Sequence, residues 1–160
     1  MRLPTTHGRG TKLCRLPPRG YSRYSSTLRT SIKPTVCRKL LMPGGIATTL
    51  VVSGQQWDHP NRWAPLQWIA VVGLKNYDEP QLAEAIAKRW SCANIDVYQM
   101  AHILVEKYNV VNRRAGGGGE YAVQVGFGWT NGVLRALASL YPTLSGFSPQ
   151  LCVSSRAASP

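Results

Sequence analysis

The sequence predicts an all-α unit of three or four helices joined by irregular, aromatic-rich loops. Three observations predict it. Apolar residues recur at helical spacing in several stretches between Pro43 and Tyr141, and no repeating strand pattern occurs there. Helix-start residues precede those stretches: Asn61, Asp78-Glu79-Pro80 and Thr130. Charge and turn-forming residues divide the 160-residue chain into a basic segment, 1–42, a folded part, 43–141, and a tail, 142–160.

The charge partition excludes more than it supports. Residues 1–42 hold ten of the 19 Lys and Arg and no Asp or Glu, so the net charge of +12 belongs mainly to that segment. It lacks hydrophobic periodicity, and its Pro and Gly break any amphipathic helix. It is expected to be disordered; a targeting segment, a disordered tail and sequence foreign to the fold are the readings, the last preferred. A nucleic-acid-binding protein needs a basic face on a folded platform, and none is evident, so nucleic acid is not expected as a partner. No stretch nears the roughly 18 apolar residues of a membrane span, so no membrane is expected as a partner. No secretory h-region follows the start, and a cytoplasmic setting is preferred. The four cysteines, Cys14, Cys37, Cys92 and Cys152, show no ligand spacing, so no metal site is expected.

Taken in order, PGGIATTLVVSG (43–54) is a turn followed by a short apolar run. Asn61 can cap a helix from about Arg62, with Pro65 in its first turn. That helix, through LQWIAVVGL, is apolar on nearly every side and calls for burial on several faces. Asp78 and Pro80 open the next helix, whose stripe is Leu82, Ala85, Ile86, Trp90, Ala93 and Val97. A break near residues 94–98 is expected before a further helix, QMAHILVEKY, with Met100, Ile103, Leu104 and Tyr108 on its apolar face. Gln99, His102 and Glu106 fall on another face of it, and Glu106 ends it. The stretch GGGGEYAVQVGFGWTNG (116–132) combines glycines, one acid and aromatics before a last helix capped by Thr130.

The loops hold the chemistry. Trp57, Trp63, Tyr121, Phe127 and Trp129 supply flat apolar faces; Gln55, Gln56, Asn61, Gln67, Gln124 and Asn131 supply amides; Asp58, Glu106 and Glu120 supply carboxylates. Rings cover the C–H faces of a sugar while amides and carboxylates bind its hydroxyls. Glycoside hydrolysis needs two carboxyl groups across the scissile bond. The bland alternatives are a solvated Glu106, an Asp58 that caps a turn, and tryptophans that belong to the core. A nucleotide site is excluded, because the glycine loop has neither the lysine nor the strand–helix context of a phosphate-binding loop.

GQQWDHPNRWAPLQ (54–67) resembles the QWDxPxxWxP signature of the trehalases, glycoside hydrolase family 37. GGGGEYAVQVGFGWTNGV (116–133) resembles the family's C-terminal glycine-rich motif; GGIATTL and VEKYNV resemble the segments before and between these two. The resemblance covers about residues 43–141, in family order. It implies part of an (α/α)6 toroid with the site in its central funnel, and inverting hydrolysis of α,α-trehalose without a cofactor. It implies that Glu106 is the general base and that Gln55, Gln56, Trp57, Asp58, Glu120, Phe127 and Trp129 face substrate. The family's other signature, PGGRFxExYxWD, and the upstream aspartate that serves as acid have no counterpart here. The resemblance therefore implies a C-terminal part of the family's fold that holds the base half of the site without the acid half and lacks activity alone, the alternative being a non-catalytic sugar-binding remnant. Asn109 stands where the family commonly has Asp, and Val125 where it has an acid.

Overall fold

The structure, a computed structural model, describes residues 34–144 and Cys152. The rest of the basic segment and of the expected tail lie outside the described residues.

Three helices carry the fold. Helix α1 spans Ala64–Asn76, α2 Pro80–Ala101 and α3 Gly128–Leu140. Helix α1 packs against both α2 and α3. Their shared core holds Val71, Leu82, Ile86, Trp90, Val97 and Leu137, all buried. The α2 stripe expected from the sequence is therefore the core face, with Ala85 at its margin.

Two small antiparallel sheets join the helices. Strands β1 (Leu41–Met42) and β2 (Gly45–Ile46) form a hairpin turned at Pro43-Gly44. Strands β3 (Asn61–Trp63), β4 (Lys107–Asn109) and β5 (Arg114–Ala115) pair in that order. The β3–β4 register sets Asn61 opposite Asn109 and Trp63 opposite Lys107. That pairing brings the two central motifs into contact across more than forty residues of chain. Before β1, Val36 in the π-helical segment Val36–Leu40 is buried in the main core.

Several expectations give way to tertiary pairing. Helix α1 starts at Ala64 behind an extended Trp63, because Asn61 and Arg62 are already strand residues. Helix α2 starts at Pro80 behind Glu79, and Asp78 lies before it at φ 56°. No break occurs near residues 94–98. The Asn94 side-chain N–H donates to the Trp90 carbonyl one turn back (2.8 Å), so the donor of a residue that often leaves a helix finds its partner inside it. The helix ends where His102 turns left-handed at φ 56° and its N–H returns to the Tyr98 carbonyl. The further helix expected through Tyr108 does not form. Val105 bridges to Val125, β4 follows, and Met100 and Ile103 are exposed instead of facing a core. Thr130 is not the cap of α3: the helix begins two residues earlier, and Thr130 lies within its first turn.

Helix α1 meets the all-round apolar expectation only in part. Val71 and Leu74 are buried, whereas Ile69 is 64% exposed. Its buried Gln67 closes on β2, accepting from the Ile46 N–H and donating to the Ile46 carbonyl, each at 2.8 Å. That amide supplies the missing strand edge and is not available to a sugar.

Cys92, inside α2, is bonded to Cys152 and both are buried. Among the described residues no helix is long and apolar enough to cross a membrane, and no cluster of His, Cys, Asp and Glu could hold a metal ion.

Candidate active site

Strand β3 puts two loops back to back. The loop before it carries Gln55–Asp58; the loop after β5 carries the glycines. Asn61 locks them together: its side-chain N–H donates to the Gly117 carbonyl (2.6 Å) and its oxygen accepts from the Gly117 N–H (3.0 Å). The Gly119 N–H reaches the Gly54 carbonyl (3.2 Å). The glycines are needed for this approach. A Cβ on Gly119 would lie 2.7 Å from the Gln56 Cβ, one on Gly116 2.8 Å from Asn61 Oδ1, and one on Gly118 would overlap the Gly54 carbonyl. Gly118 and Gly119 also have φ of 72° and 84°, which other residues rarely adopt.

An aromatic row runs along this junction. Trp57 stacks on Trp63 with centroids 4.2 Å apart, Trp129 meets Trp63 edge-on at 5.2 Å, and Phe127 leans on Trp129 at 4.7 Å. Trp63 is buried and its indole N–H donates to the Gln56 carbonyl (3.1 Å). Trp57 and Trp129 stay partly open, at 50% and 36% exposure. The row is a core tryptophan, Trp63, with two solvent-facing rings on its flanks. Helix α3 delivers Trp129 from its first turn, and the Thr130 hydroxyl ties that turn to the Val105 carbonyl (2.8 Å).

Glu106 follows Val105 at the entrance to β4. It is fully buried, not the solvated helix-end carboxylate. Its N–H donates to the Gln124 carbonyl (3.0 Å), which fixes the backbone on the glycine-loop side. Oε1 accepts from Lys107 Nζ at 2.6 Å, and Tyr121 Oη lies 3.4 Å from Oε2. Lys107 is equally buried; its ammonium also donates to Gln56 Oε1 (3.2 Å) and lies 5.5 Å and 4.8 Å from the ring centroids of Trp63 and Tyr121. The carboxylate is thus held by one charge-assisted bond on one oxygen, with the other turned toward the half-exposed Tyr121.

The remaining sequence candidates lie at the margin. The Asp58 carboxylate accepts from the Ser53 hydroxyl, and its carbonyl accepts from the Asn61 N–H (2.8 Å), so Asp58 shapes the turn before β3. Gln55 is exposed beside it, with its carbonyl accepting from the Asp58 N–H. Glu120 is exposed on the loop just before Tyr121. The structure therefore brings together Gln56, Trp57, Glu106, Phe127 and Trp129, with Gln55, Asp58 and Glu120 around them. Below the turn, Arg62 is buried with its guanidinium donating to the Thr49 and Asn61 carbonyls. Burial draws it down to about 10, against the opposing pull of Asp58. Burial, then the Arg62 charge, lowers His59 below its usual value.

Lys107 was not legible as part of the site. Neighbours in an extended chain ordinarily point to opposite faces, and only the bend at Glu106 lets the two side chains meet. The adjacency of Glu and Lys within VEKYNV was the available signal.

Comparison with known proteins adds family to this geometry. The Trehalase family model matches residues 22–142. A periplasmic trehalase of Xanthomonas oryzae is 56% identical over 109 residues, 68% of this chain and 19% of that protein. One of Pseudomonas aeruginosa is 54% identical over 108 residues, 67% of this chain and 20% of that protein. Among solved structures, neutral trehalase Nth1 from Saccharomyces cerevisiae overlays with a TM-score of 0.58 at 23% identity. The overlay covers 86% of this chain and 24% of that one. The chain spans about a fifth of the length of the curated relatives it matches.

Proposed function

The chain belongs to the trehalase family, and from that premise we propose that it carries the general-base half of a trehalose-hydrolysing site. The observation that carries the proposal is Glu106: a fully buried carboxylate, clamped on one oxygen, beside an aromatic row with two open rings. A base must present a fixed lone pair to water, and a sugar needs apolar faces beside it.

In this reading water attacks the anomeric carbon while Glu106 Oε2 takes its proton. The C–O bond to the leaving glucose breaks with inversion, and that oxygen is protonated by an acid that this chain's residues do not supply. Trp57, Phe127 and Trp129 cover sugar C–H faces. Gln55, Asp58 and Glu120 bind hydroxyls, and Gln56 stands between the sugar and the Glu106–Lys107 pair. Tyr121 lies beside Oε2 and yields that place to water when substrate is bound. Trehalose binding without turnover is what these residues offer when the acid is not supplied, because the ring platform and the hydroxyl ligands remain.

A leaving group that departs without protonation separates the two halves. With α-D-glucosyl fluoride, the C–F bond breaks as fluoride leaves with its electron pair, a C–O bond forms to water, and Glu106 takes the proton. The 160-residue chain is expected to release fluoride above the spontaneous rate yet release no glucose from trehalose. Glu106→Gln should lower fluoride release about 10²–10⁴-fold, the usual range for a general base. Unchanged release by Glu106→Gln removes Glu106 from this role; glucose from trehalose means that an acid is present in this chain after all.

A further inference from the structure

A lysine and a glutamate adjacent in sequence, both without solvent exposure, need an explanation that stability does not provide. Taking two charges out of water costs several kcal/mol per ion, and an apolar pair of like volume often serves a core as well or better. The partners of Lys107 supply the explanation. Its ammonium touches Glu106 Oε1, the Gln56 side chain from the loop before β3, and the ring faces of Trp63 and Tyr121. Every one of these belongs to the candidate site. The Lys107 backbone is fixed as firmly: it pairs with Trp63 across β3–β4, and its carbonyl accepts from the Gly116 N–H at 2.9 Å.

We propose that Lys107 is the positioning residue of the base: its ammonium holds Glu106 Oε1 and leaves Oε2 as the oxygen offered to water. The role rests on the reading of Glu106 as base. Lys107 itself touches neither water nor sugar in this scheme. It sets the rotation of the carboxylate and, through Gln56 and Tyr121, ties both motif loops to that rotation. A carboxylate held by one oxygen keeps one lone-pair direction; a carboxylate without that bond turns away from it.

The test uses fluoride release from α-D-glucosyl fluoride by the full 160-residue chain, with kcat and KM separated and a thermal melt for each variant. Lys107→Met is expected to lower kcat about 100-fold with KM within about twofold, the scale of a reacting group displaced by about 1 Å. Lys107→Arg, which keeps the charge, should recover part of that loss. In the Glu106→Gln background, Lys107→Met should cost nothing more, because it acts through Glu106. Parental kcat in Lys107→Met, with release lost in Glu106→Gln, overturns the positioning role and leaves the base reading standing. Parental kcat in Glu106→Gln overturns both, as does a parent chain no faster than buffer. Independent, multiplying losses in the double variant also overturn the role. If Lys107→Met loses its cooperative melt, Lys107→Arg decides alone: a folded chain with reduced kcat and unchanged KM supports the role, and parental kcat overturns it.

Discussion

At the scale of single residues, side-chain amides do the work of backbone. Asn61 and Gln67 each bind the N–H and C=O of one distant residue, Gly117 and Ile46. Asn61→Ala should cost about 1–3 kcal/mol, the penalty for abandoning hydrogen-bonded groups; chemical denaturation measures it. The same variant should lose fluoride release, since Asn61 holds the glycine loop against β3. Nothing local in the sequence distinguishes an amide that binds backbone from one that binds sugar, so both stood among the sugar-binding candidates. Tyr108 offers a pH test. Burial pushes its phenol from 10.0 up to about 12, although the hydrogen bond from the Val105 N–H works the other way. The folded state keeps that proton to higher pH than the unfolded chain, so the associated stability is complete below pH 10 and is lost as pH rises to about 12. The melting temperature should therefore fall across that window, and Tyr108→Phe should flatten part of the fall.

At the scale of elements, the three helices were legible apart from their bounds, and the strands were not. The stripe from Leu82 to Val97 announced α2 because its burial follows the helical period. The end of that helix was missed because Met100, Ile103, Leu104 and Tyr108 also fit a helical period. The chain there pairs instead with residues far away in sequence, Val105 with Val125 and Tyr108 with Arg62. Two- and three-residue strands carry no period of their own. The glycine loop was legible as a special element, although its contact with Gly54, Gln56 and Asn61 required the β3–β4 pairing. Glycines at two positions should separate by context. Gly118→Ala, at φ 72° and against the Gly54 carbonyl, should destabilise by about 1–3 kcal/mol. Gly132→Ala, inside α3 with open space around the new Cβ, should stabilise by about 0.5–1 kcal/mol. Thermal melts of the two variants should move in opposite directions.

At the scale of the whole molecule, the helical unit gathers the motifs but leaves apolar side chains facing solvent. Ile69 on α1 and Tyr98 and Met100 on α2 are each more than half exposed. The chain spans about a fifth of the length of its curated relatives, and it shares its fold with part of the yeast trehalase structure. The Cys92–Cys152 bond closes a separation of 60 residues and fastens Cys152 to α2. Its reduction should lower stability by about 2–4 kcal/mol, read as a lower melting temperature under reducing conditions. The bond was not legible, because four scattered cysteines allow several pairings and neither α2 nor the tail signals the other. The family motifs were legible as ordered stretches; what they do together depends on Glu106 being buried, paired and set beside the aromatic row.

The measurement that bears most directly on the account is the anomer first formed from α-D-glucosyl fluoride, followed by proton NMR in the parent chain and in Glu106→Gln. Water activated by Glu106 on the face opposite the departing fluoride gives β-glucose first, and the signal fades to the spontaneous background in the variant. α-Glucose as the first product, or β-glucose formed equally fast without the Glu106 carboxylate, would contradict the account.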